Sequence, residues 1–418
     1  MIKKYVLLQV LTAALLLGGL EAAGGGFKIQ DQSTRAMGMI DAFVAGADDA
    51  SAVYYNPAGL TRLTNPQLIA NLYFAHAETR YEGPGGTDHS DGRIYALPNF
   101  YFGLPLGEEH RWSAGIGVYS PFGLGSKWSA DSPVRYHTTL AEIKMVNINP
   151  NLAFKVTDQL AVAAGANYYN SRIKMRNKIN NPGTVPDGKQ RLDADGDGWG
   201  YNLGLLYDLN ERIDLGLTYR SPVTVTHRGN VTFEDTAVPT ARPPGFTVAT
   251  MRSEATTDLK YPALVSAGIS AQATERWRFE LAAEWQRWST RDTQKFEIAG
   301  DPPYLPGGVE EQEINWSDSW VWMLGTEYDL SEKWRLRGGY AFNQSPVSAR
   351  TADPSLAPGD THAVSLGFGH TLRNNLKLDF ASVISYQEKA TIRGENAPPA
   401  SSYETWGGYL SLGISWEF

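Results

Sequence analysis

The residues that decide the fold are the last ten, Tyr409-Leu410-Ser411-Leu412-Gly413-Ile414-Ser415-Trp416-Glu417-Phe418. Every even-numbered position holds a large apolar residue, and the odd-numbered positions hold mostly small or polar ones. Successive side chains of a β-strand point to opposite sides, so this pattern gives one apolar face and one mostly polar face. Such a segment is a candidate for a membrane-spanning strand, although a half-buried strand of a soluble sandwich would show the same pattern.

The composition of the whole chain favours the membrane. The 418 residues include 42 Gly, 21 Tyr and 12 Trp, with a mean hydropathy of −0.33. In a spanning barrel only one residue in two faces lipid, so the average resembles that of a soluble protein. No run of eighteen uninterrupted apolar residues follows the N-terminal region, which excludes a helical membrane protein. The net charge of −8 argues against nucleic acid as a partner, and the absence of Cys excludes a disulfide scaffold.

The N-terminus has the pattern of a secretory signal peptide. Lys3 and Lys4 precede an apolar run over residues 5–20, and small residues follow at Ala22 and Ala23. A basic start, an apolar middle and a small-residue end are typical of export signals. We predict that residues 1–23 are a signal peptide cleaved near Ala22 or Ala23.

Turns and loops of two classes alternate along the chain. Short polar turns are predicted at 107–109, 157–159, 210–211, 274–275, 331–332 and 373–375, and long Gly/Pro/Asp-rich loops at 83–92, 122–137, 177–196, 235–256, 299–313, 344–360 and 390–402. This alternation is typical of outer-membrane barrels, which have short periplasmic turns and long external loops. We therefore predict an all-β fold, a transmembrane antiparallel β-barrel of about 14 strands over residues 66–418.

A barrel of this size encloses a lumen that wall side chains do not fill. Residues 24–65 precede the first strand, and they are too apolar for a disordered tail and too few for a separate domain. We predict that they form a hatch inside the barrel, the alternative being a periplasmic extension. Within them, Asn56-Pro57-Ala58 should form a tight turn, because Pro fixes φ and the following Gly59 permits unusual φ values.

Separate motifs spread over the chain point to one family. They are Gly26-Phe27, Asn56-Pro57-Ala58, Pro121-Phe122-Gly123-Leu124 with Trp128, Asn149-Pro150-Asn151-Leu152-Ala153, and the runs at 198–207 and 216–223. Together they resemble the long-chain fatty acid transporter family (FadL, with related aromatic hydrocarbon transporters). The resemblance implies a fourteen-stranded barrel, closed by an N-terminal hatch, that moves hydrophobic molecules across the bacterial outer membrane.

The resemblance also implies a route for the transported molecule. It is captured in an apolar groove between outer loops, passes to an inner pocket and, after a shift of the N-terminus, leaves sideways through a gap beside a kinked third strand. That strand would cover residues 112–119, where Gly115 and Gly117 would weaken it, followed by Pro121, which cannot donate to the ladder. The two glycines are equally consistent with packing or with barrel curvature.

Candidate ligand residues follow from the same picture. The apolar path candidates are Phe27, Met37, Phe43, Phe122 and Leu124. A fatty carboxylate calls for a cation in the pocket. Arg220 points inward by alternation and is the carboxylate-binding candidate, with Lys144 and Arg172 as weaker ones. Each of these cations is also consistent with a lumenal ion pair.

Other chemistry finds little support in the chain. Residues 193–198 resemble a calcium loop, but the twelfth position of that pattern holds Gly204 instead of Glu, so we predict a solvated loop and leave weak calcium binding open. The seven His lack zinc spacing, and no Gly-x-Ser-x-Gly motif occurs. We expect no metal, no cofactor and no catalytic residue, hence no enzyme.

Two classes of function remain. The first is a passive outer-membrane transporter for long-chain fatty acids or, by the same mechanism, for aromatic hydrocarbons. The second is a structural or adhesive outer-membrane barrel with a permanently closed hatch; an aqueous porin is disfavoured by the apolar hatch. Expected partners are the hydrophobic ligand, outer-membrane lipid and lipopolysaccharide, and the barrel assembly machinery, with the protein itself a monomer.

Overall fold

The computed structural model of this chain describes residues 26–418, apart from residues 108, 242–243, 301–306, 374, 395 and 399. The predicted signal peptide, residues 1–23, and the first two positions of the predicted hatch lie outside the described residues. The statements below concern the described part of the chain.

Short helices come first and strands follow. The helices are α1 (Thr34–Gly38), α2 (Ala52–Tyr55) and the 3₁₀ helices η1 (Pro57–Arg62) and η2 (Trp288–Thr290). The strands are β1 (Gln67–Gly83), β2 (Gly86–His89), β3 (Ile94–Leu106), β4 (Trp112–Tyr119), β5 (Gly123–Lys127), β6 (Leu140–Lys155), β7 (Leu160–Ile179), β8 (Gly188–Asn210), β9 (Ile213–Arg220), β10 (Val223–Ala241), β11 (Pro244–Tyr261), β12 (Leu264–Thr274), β13 (Trp277–Gln286), β14 (Thr293–Ile298), β15 (Val309–Glu313), β16 (Ser319–Asp329), β17 (Trp334–Asn343), β18 (Thr361–Arg373), β19 (Leu376–Thr391) and β20 (Ser402–Glu417). No helix among the described residues is long and apolar enough to cross a membrane.

The strands form one closed antiparallel barrel. Successive positions of the wall pair with each other, and β20 returns to pair with β1 from Gln67–Glu417 to Glu82–Ser402. The hairpin strand β2 extends an outer loop, and five wall positions are each built by two strands in succession: β4 with β5, β9 with β10, β11 with β12, β13 with β14, and β15 with β16. The wall therefore has fourteen strands, and the predicted fold class is confirmed.

The period-two pattern explains why the wall is stable in lipid. In β20, Leu410 and Leu412 are 48% and 54% exposed on the outer face, whereas the intervening Ser411 is 2% exposed and faces inward. Aromatic residues line the outer face as well, for example the stacked pair Trp320 and Trp322. Closure satisfies the backbone hydrogen bonds that lipid cannot satisfy, so a barrel is the form in which such strands span a membrane.

Two predicted loops are wrong, because strands occupy most of them. Residues 177–196 contain the end of β7 and the start of β8, and residues 235–256 contain the end of β10 and the start of β11. The charged residues of these stretches favour a loop when only composition is considered. In the structure their side chains alternate with buried apolar ones and pair across strands, as Arg172 does with Asp195 at 2.5 Å. The strands thus continue beyond the apolar band of the barrel. The predicted loop at 122–137 likewise begins with β5.

The solvated loop predicted at residues 193–198 is also wrong, because a strand occupies this stretch. Residues 193–198 lie within β8, so the carboxylates of Asp193, Asp195 and Asp197 project from alternate positions of an extended strand. An extended backbone does not wrap these groups around one ion. Across the described ranges, no group of three or more His, Cys, Asp or Glu side chains is placed to hold a metal ion.

Candidate functional site

The N-terminal segment, residues 26–66, lies inside the barrel and contacts its wall on several sides. Thr34 bonds to Asn71 of β1 and, at 2.6 Å, to Ser411 of β20. On another side, the Glu280 carboxylate of β13 accepts from the backbone N–H of Ala45 and Gly46 at 2.7 and 2.8 Å. Bonds of these lengths to opposite walls fix the segment as a body within the lumen.

The Asn56-Pro57-Ala58 motif makes the tight turn that the sequence predicts. Asn56 accepts from the backbone N–H of Ala58, and Pro57 begins η1. The same Asn56 side chain donates to the carbonyl oxygens of Val44 at 2.8 Å and Leu205 at 3.0 Å. One carboxamide therefore ties the turn, the rest of the segment and the wall strand β8 together.

Buried ion pairs hold the segment near the end of the barrel that carries the short turns. Arg35 bonds to Asp48 within the segment and reaches Glu327 of β16 at 3.2 Å. Arg278 reaches the same Glu327 at 3.1 Å, and Arg337 at 2.7 Å. Burial alone would raise the pKa of Asp48, but Arg35 and Arg278 hold it down at about 2. At neutral pH this carboxylate is charged and binds the segment to the wall.

Two other carboxyl groups of the segment, those of Asp31 and Asp41, have raised pKa values, in contrast to Asp48. Burial raises the pKa of Asp41 to about 6, against the lowering effects of the Tyr55 hydroxyl and Lys28. Burial and the neighbouring Asp41 raise the pKa of Asp31 well above its usual range, and Tyr73 donates to Asp31 at 3.0 Å. A raised carboxyl pKa means that the folded segment binds protons more tightly than the unfolded chain.

We expect this pair to make the segment less stable as pH rises. A folded pKa above the unfolded value near 4 gives stability that is complete below pH 4 and lost as pH rises through about 6. Amide exchange of Gln32 and Ser33, which both donate to Tyr55, should therefore be faster at pH 7 than at pH 5 after correction for the intrinsic rate. Asp41→Asn, which tolerates the positive φ of 63° at this position, should reduce the difference to the part that Asp31 contributes; an unchanged pH dependence in this variant would contradict the assignment.

The third strand of the wall is interrupted. It is formed by β4 and β5, with a break over residues 120–122 that contains Pro121. Below the break, β4 pairs with β3 on one side and β6 on the other. Above it, β5 pairs with β6, and residues 94–99 of β3 pair with β1. Among the described pairings none joins β3 to β5, so the wall has an opening between them in the half that carries the long loops.

Gly115 and Gly117 lie outside this opening, in the paired part of the strand. A Cβ atom at Gly115 would lie 2.7 Å from Val53 and 2.9 Å from Leu60, and one at Gly117 would lie 2.9 Å from Val53. These glycines therefore admit α2 and η1 close to the wall, and their weakening of the strand stays a prediction. Pro121 is the member of the predicted set that lies in the break.

Three of the predicted path residues meet in one apolar cluster. Phe27, Phe122 and Leu124 pack together with Trp288 and Tyr261. The Phe27 ring lies 4.9 Å from that of Trp288 and 5.5 Å from that of Tyr261, both edge to face. The remaining two path candidates are buried elsewhere, Met37 and Phe43 each in a different cluster.

A vestibule of about 830 Å³ lies between the long loops above this cluster. Its apolar wall includes Leu192, Val231 and Ile298, which also belong to the cluster below, so the vestibule and the cluster are continuous. Its rim is polar and carries Arg350 and Arg393. A cavity of this size with an apolar wall and a few polar groups is typical of small-molecule sites.

Arg291 lies against the aromatic rings of the cluster, and the sequence analysis did not select it. Its guanidinium lies 4.8 Å from the Phe27 ring and 4.7 Å from the Trp316 ring. No ion pair in the described part of the chain includes Arg291, and its side chain is partly buried. Arg291 follows η2, in an interruption of the wall strand between β13 and β14. This interruption contains neither Gly nor Pro, so the local sequence does not predict it.

Arg220 is buried in the lumen, as the alternation predicts. It donates to Asn167, and its guanidinium lies 5.2 Å from the Tyr54 ring. It lines a cavity of about 40 Å³ together with Lys28, whose ammonium pairs with Glu284 at 2.7 Å. Arg220 itself forms no ion pair with any described residue.

The two weaker cation candidates are wrong. Lys144 and Arg172 alternate with the buried, inward-facing residues of β6 and β7, and therefore lie on the outer face of the barrel. There they pair with Glu142 at 3.5 Å and Asp195 at 2.5 Å.

A closed antiparallel barrel with an apolar outer face defines the class of outer-membrane β-barrel proteins. The chain belongs to the family described as outer membrane protein transport protein (OMPP1/FadL/TodX), whose model matches residues 15–409. The resemblance drawn from the sequence motifs is thereby confirmed, and so is the outer-membrane location. The relatives are transport or outer-membrane proteins.

Individual relatives agree with this assignment. A putative outer membrane protein of Neisseria meningitidis is 26% identical, over 88% of both chains. The long-chain fatty acid transport protein of Salmonella typhi is 23% identical, over 93% of both chains. Among solved structures, a Pseudomonas aeruginosa FadL homologue has a TM-score of 0.80 at 19% identity, covering 94% of this chain and 100% of its own. The Pseudomonas putida toluene transporter TodX has a TM-score of 0.75 at 17% identity, covering 94% and 99%; these structures show the fold alone.

Proposed function

We propose that this protein is a passive transporter that carries long-chain fatty acids across the outer membrane, with residues 24–65 as a hatch that gates the lumen. The vestibule would capture the ligand, the cluster around Phe27 would receive it, and the opening between β3 and β5 would release it sideways. The buried N-terminal segment supports a gate, since its strand-like end, Phe27 to Ile29, lies across the route from the vestibule to the opening.

The observation that carries the fatty acid assignment is Arg291 beside Phe27. A fatty acid needs an apolar surface for its chain and a cation for its carboxylate, and these meet where Arg291 contacts Phe27, in the cluster that is continuous with the vestibule. The Arg291 guanidinium is partly withdrawn from water and forms no ion pair with a described carboxylate, so it gains strongly from an anionic ligand. Arg220, buried deeper and also without an ion-pair partner among the described residues, offers a second position for the carboxylate along the route.

Release into the membrane needs no energy source. Each methylene group gains about 0.8 kcal/mol on leaving water. A long acyl chain therefore moves readily from the lumen into the lipid core once a dry lateral exit is open. The barrier is the polar surface of the outer leaflet, which the vestibule and lumen bypass.

Aromatic hydrocarbons are the second candidate ligand. The Phe27 ring contacts four other aromatic rings, in edge-to-face or tilted pairs with centroids 4.9–6.3 Å apart: those of Phe122, Tyr261, Trp288 and Trp316. Such a cluster suits a flat aromatic guest as well as an acyl chain. A structurally similar protein, TodX, is a toluene transporter. An aromatic hydrocarbon has no carboxylate that could pair with the charge of Arg291, and for this reason we place fatty acids first.

Uptake into cells tests the proposal. We expect labelled oleate to enter cells that carry the gene much faster than cells without it, and labelled toluene to show a smaller difference. Deleting residues 24–43 should replace selective uptake by ion conductance in planar bilayers, because the lumen then lacks its gate. Arg80→Gln, in an exposed ion pair with Glu404, is the matched control and should leave uptake unchanged. Equal oleate entry with and without the gene would instead favour the structural or adhesive barrel.

The expected monomeric state and the contacts with lipopolysaccharide and the barrel assembly machinery stay predictions. They follow from the outer-membrane location and from the outer face of the barrel, whose exposed large apolar residues face lipid.

A further inference from the structure

The opening in the wall is bordered by two strand edges that no described strand pairing joins. One belongs to the outer half of β3, which pairs with β1 on its other side, and the second belongs to the break followed by β5. The bond from the Asp91 N–H to the Lys127 carbonyl at 2.6 Å bounds the opening at the loop end. The pair Phe100–Val118 of β3 and β4 bounds it towards the membrane centre. Inside a membrane, the backbone groups along the edge of a wall strand require hydrogen-bond partners.

The N-terminal segment supplies partners to the broken strand. The N–H of Ile29 donates to the Pro121 carbonyl, and the N–H of Gly123 donates to the Phe27 carbonyl, both at 2.9 Å. Residues 27–29 thus occupy the edge of the break where a neighbouring wall strand would otherwise pair. They make no hydrogen bond to β3 among those described, so they do not by themselves join the two edges.

Gln32 joins them. Its side-chain N–H₂ donates to the Ser120 carbonyl in the break at 3.0 Å. Its main-chain carbonyl accepts from the Asn99 side chain at 3.0 Å and from the Tyr101 hydroxyl at 2.9 Å, both on β3. Gln32 is 1% exposed, so these bonds are shielded from water.

Gln32 also marks the boundary between two parts of the segment. Residues after it are held by the network of Arg35 and Asp48 with the wall and by the contacts of Asn56. Residues before it are held by the short pairing with the break, the Lys28–Glu284 ion pair, the packing of Phe27 in its cluster and the bond from Tyr73 to Asp31. The two oxygens Gln32 Oε1 and Asn99 Oδ1 have no hydrogen-bond partner within the described residues, so the closed arrangement is incompletely satisfied and open to exchange.

We propose that Gln32 is the positioning residue that latches the wall opening shut. Its two amide groups tie β3 to the broken strand, and their release frees residues 26–31 and the opening together. This inference rests on the proposed lateral exit, and it names the residue that controls that exit. A ligand that inserts beside Phe27 would displace residues 27–29 from the break and so weaken the bond from Gln32 to Ser120.

The cysteine-free chain allows a direct test that involves no transport. Ser120→Cys places a thiol in the break, at a position where Ser120 is 8% exposed. The substitution keeps the latch bond, because Gln32 bonds to the main-chain oxygen of Ser120 and not to its side chain. The labelling rate by N-dodecylmaleimide is measured in lipid vesicles without substrate. Gln32→Met keeps the length of the side chain but cannot donate, and it should raise the rate roughly three- to tenfold, as expected for a lost buried hydrogen bond. Asn99→Ala, which removes the bond on the other edge, should act in the same direction.

Thr34→Ala is the control, because Thr34 bonds to Asn71 and Ser411 on the other side of the segment. A general loosening of the segment would raise labelling in this variant too, whereas loss of the latch would not. Labelling of the Gln32→Met variant at the parent rate overturns the proposal, as does an equal rise in Thr34→Ala. Oleate uptake measured after the thiol of the Ser120→Cys variant has been alkylated reports separately on the exit route: unimpaired uptake would sink the lateral exit and leave the labelling result standing.

Discussion

Arg291→Met is expected to weaken oleate binding about tenfold to a hundredfold and to leave toluene binding unchanged. A hydrogen bond to a charged group contributes roughly 1.5–3 kcal/mol, and each 1.4 kcal/mol is a factor of ten in affinity. Met retains an apolar stem against Phe27 and Trp316, so the packing of the cluster is kept while the charge is removed. Quenching of tryptophan fluorescence during titration measures both ligands, since Trp288 and Trp316 line the cluster.

Two further variants help to assign the change in oleate binding to the charge of Arg291. Arg335→Met removes a cation that pairs with Asp329 in the wall, away from the cluster, and should leave both affinities unchanged. Arg220→Met measures how much oleate binding depends on Arg220, the cation predicted from the sequence, for comparison with Arg291. Equal loss of oleate and toluene binding in Arg291→Met would show that the residue acts through packing, and unchanged oleate binding would remove the main support for a fatty acid ligand.

Glu327→Gln is expected to destabilise the docked N-terminal segment by about 3–5 kcal/mol, the usual effect of breaking a buried ion pair. Glu327 is 7% exposed and contacts three guanidinium groups, those of Arg35, Arg278 and Arg337. Gln keeps the shape of the side chain but leaves these cations with less compensating charge. The free energy of local opening is measured by hydrogen exchange at the buried amide of Met37, which bonds to the Ser33 carbonyl.

Glu404→Gln provides the matched surface control. Glu404 pairs with Arg80 at 3.4 Å, and the Arg80 side chain is largely solvated. Exposed pairs contribute about 0–1 kcal/mol, so exchange at Met37 should not change. If Glu327→Gln also left this exchange unchanged, the ion-pair network would not be what anchors the segment.

The wall was predictable because each strand carries its own signal. Alternation in β20 marks a lipid-facing side in ten consecutive residues, and the predicted short turns at 157–159 and 331–332 fall where β6 and β16 end. The signal fails where charges dominate, as in residues 177–196. There alternation persists with charged residues on the outer side, and composition alone cannot distinguish such a strand from a loop.

The lumen was only partly predictable. Apolar character predicts that Phe27 of the N-terminal segment and Phe122 and Leu124 of the third strand lie on one path, and these three residues do meet. Met37 and Phe43 satisfied the same criterion and lie in other clusters, since apolar character does not specify which part of a lumen a residue faces. Arg220 was placed inward by strand alternation, but Arg291 lies in an interruption where alternation has no meaning.

Read alone, the amino-acid pattern specifies a closed barrel of about fourteen strands in a membrane, because lipid imposes an apolar residue at every second wall position and a backbone without free edges. How the interior is connected became visible in the folded chain. Gln32 meets Asn99 and Ser120, and Arg291 meets Phe27, across long stretches of chain. These contacts depend on how the N-terminal segment docks against the curved wall, and no local pattern in the chain encodes that geometry.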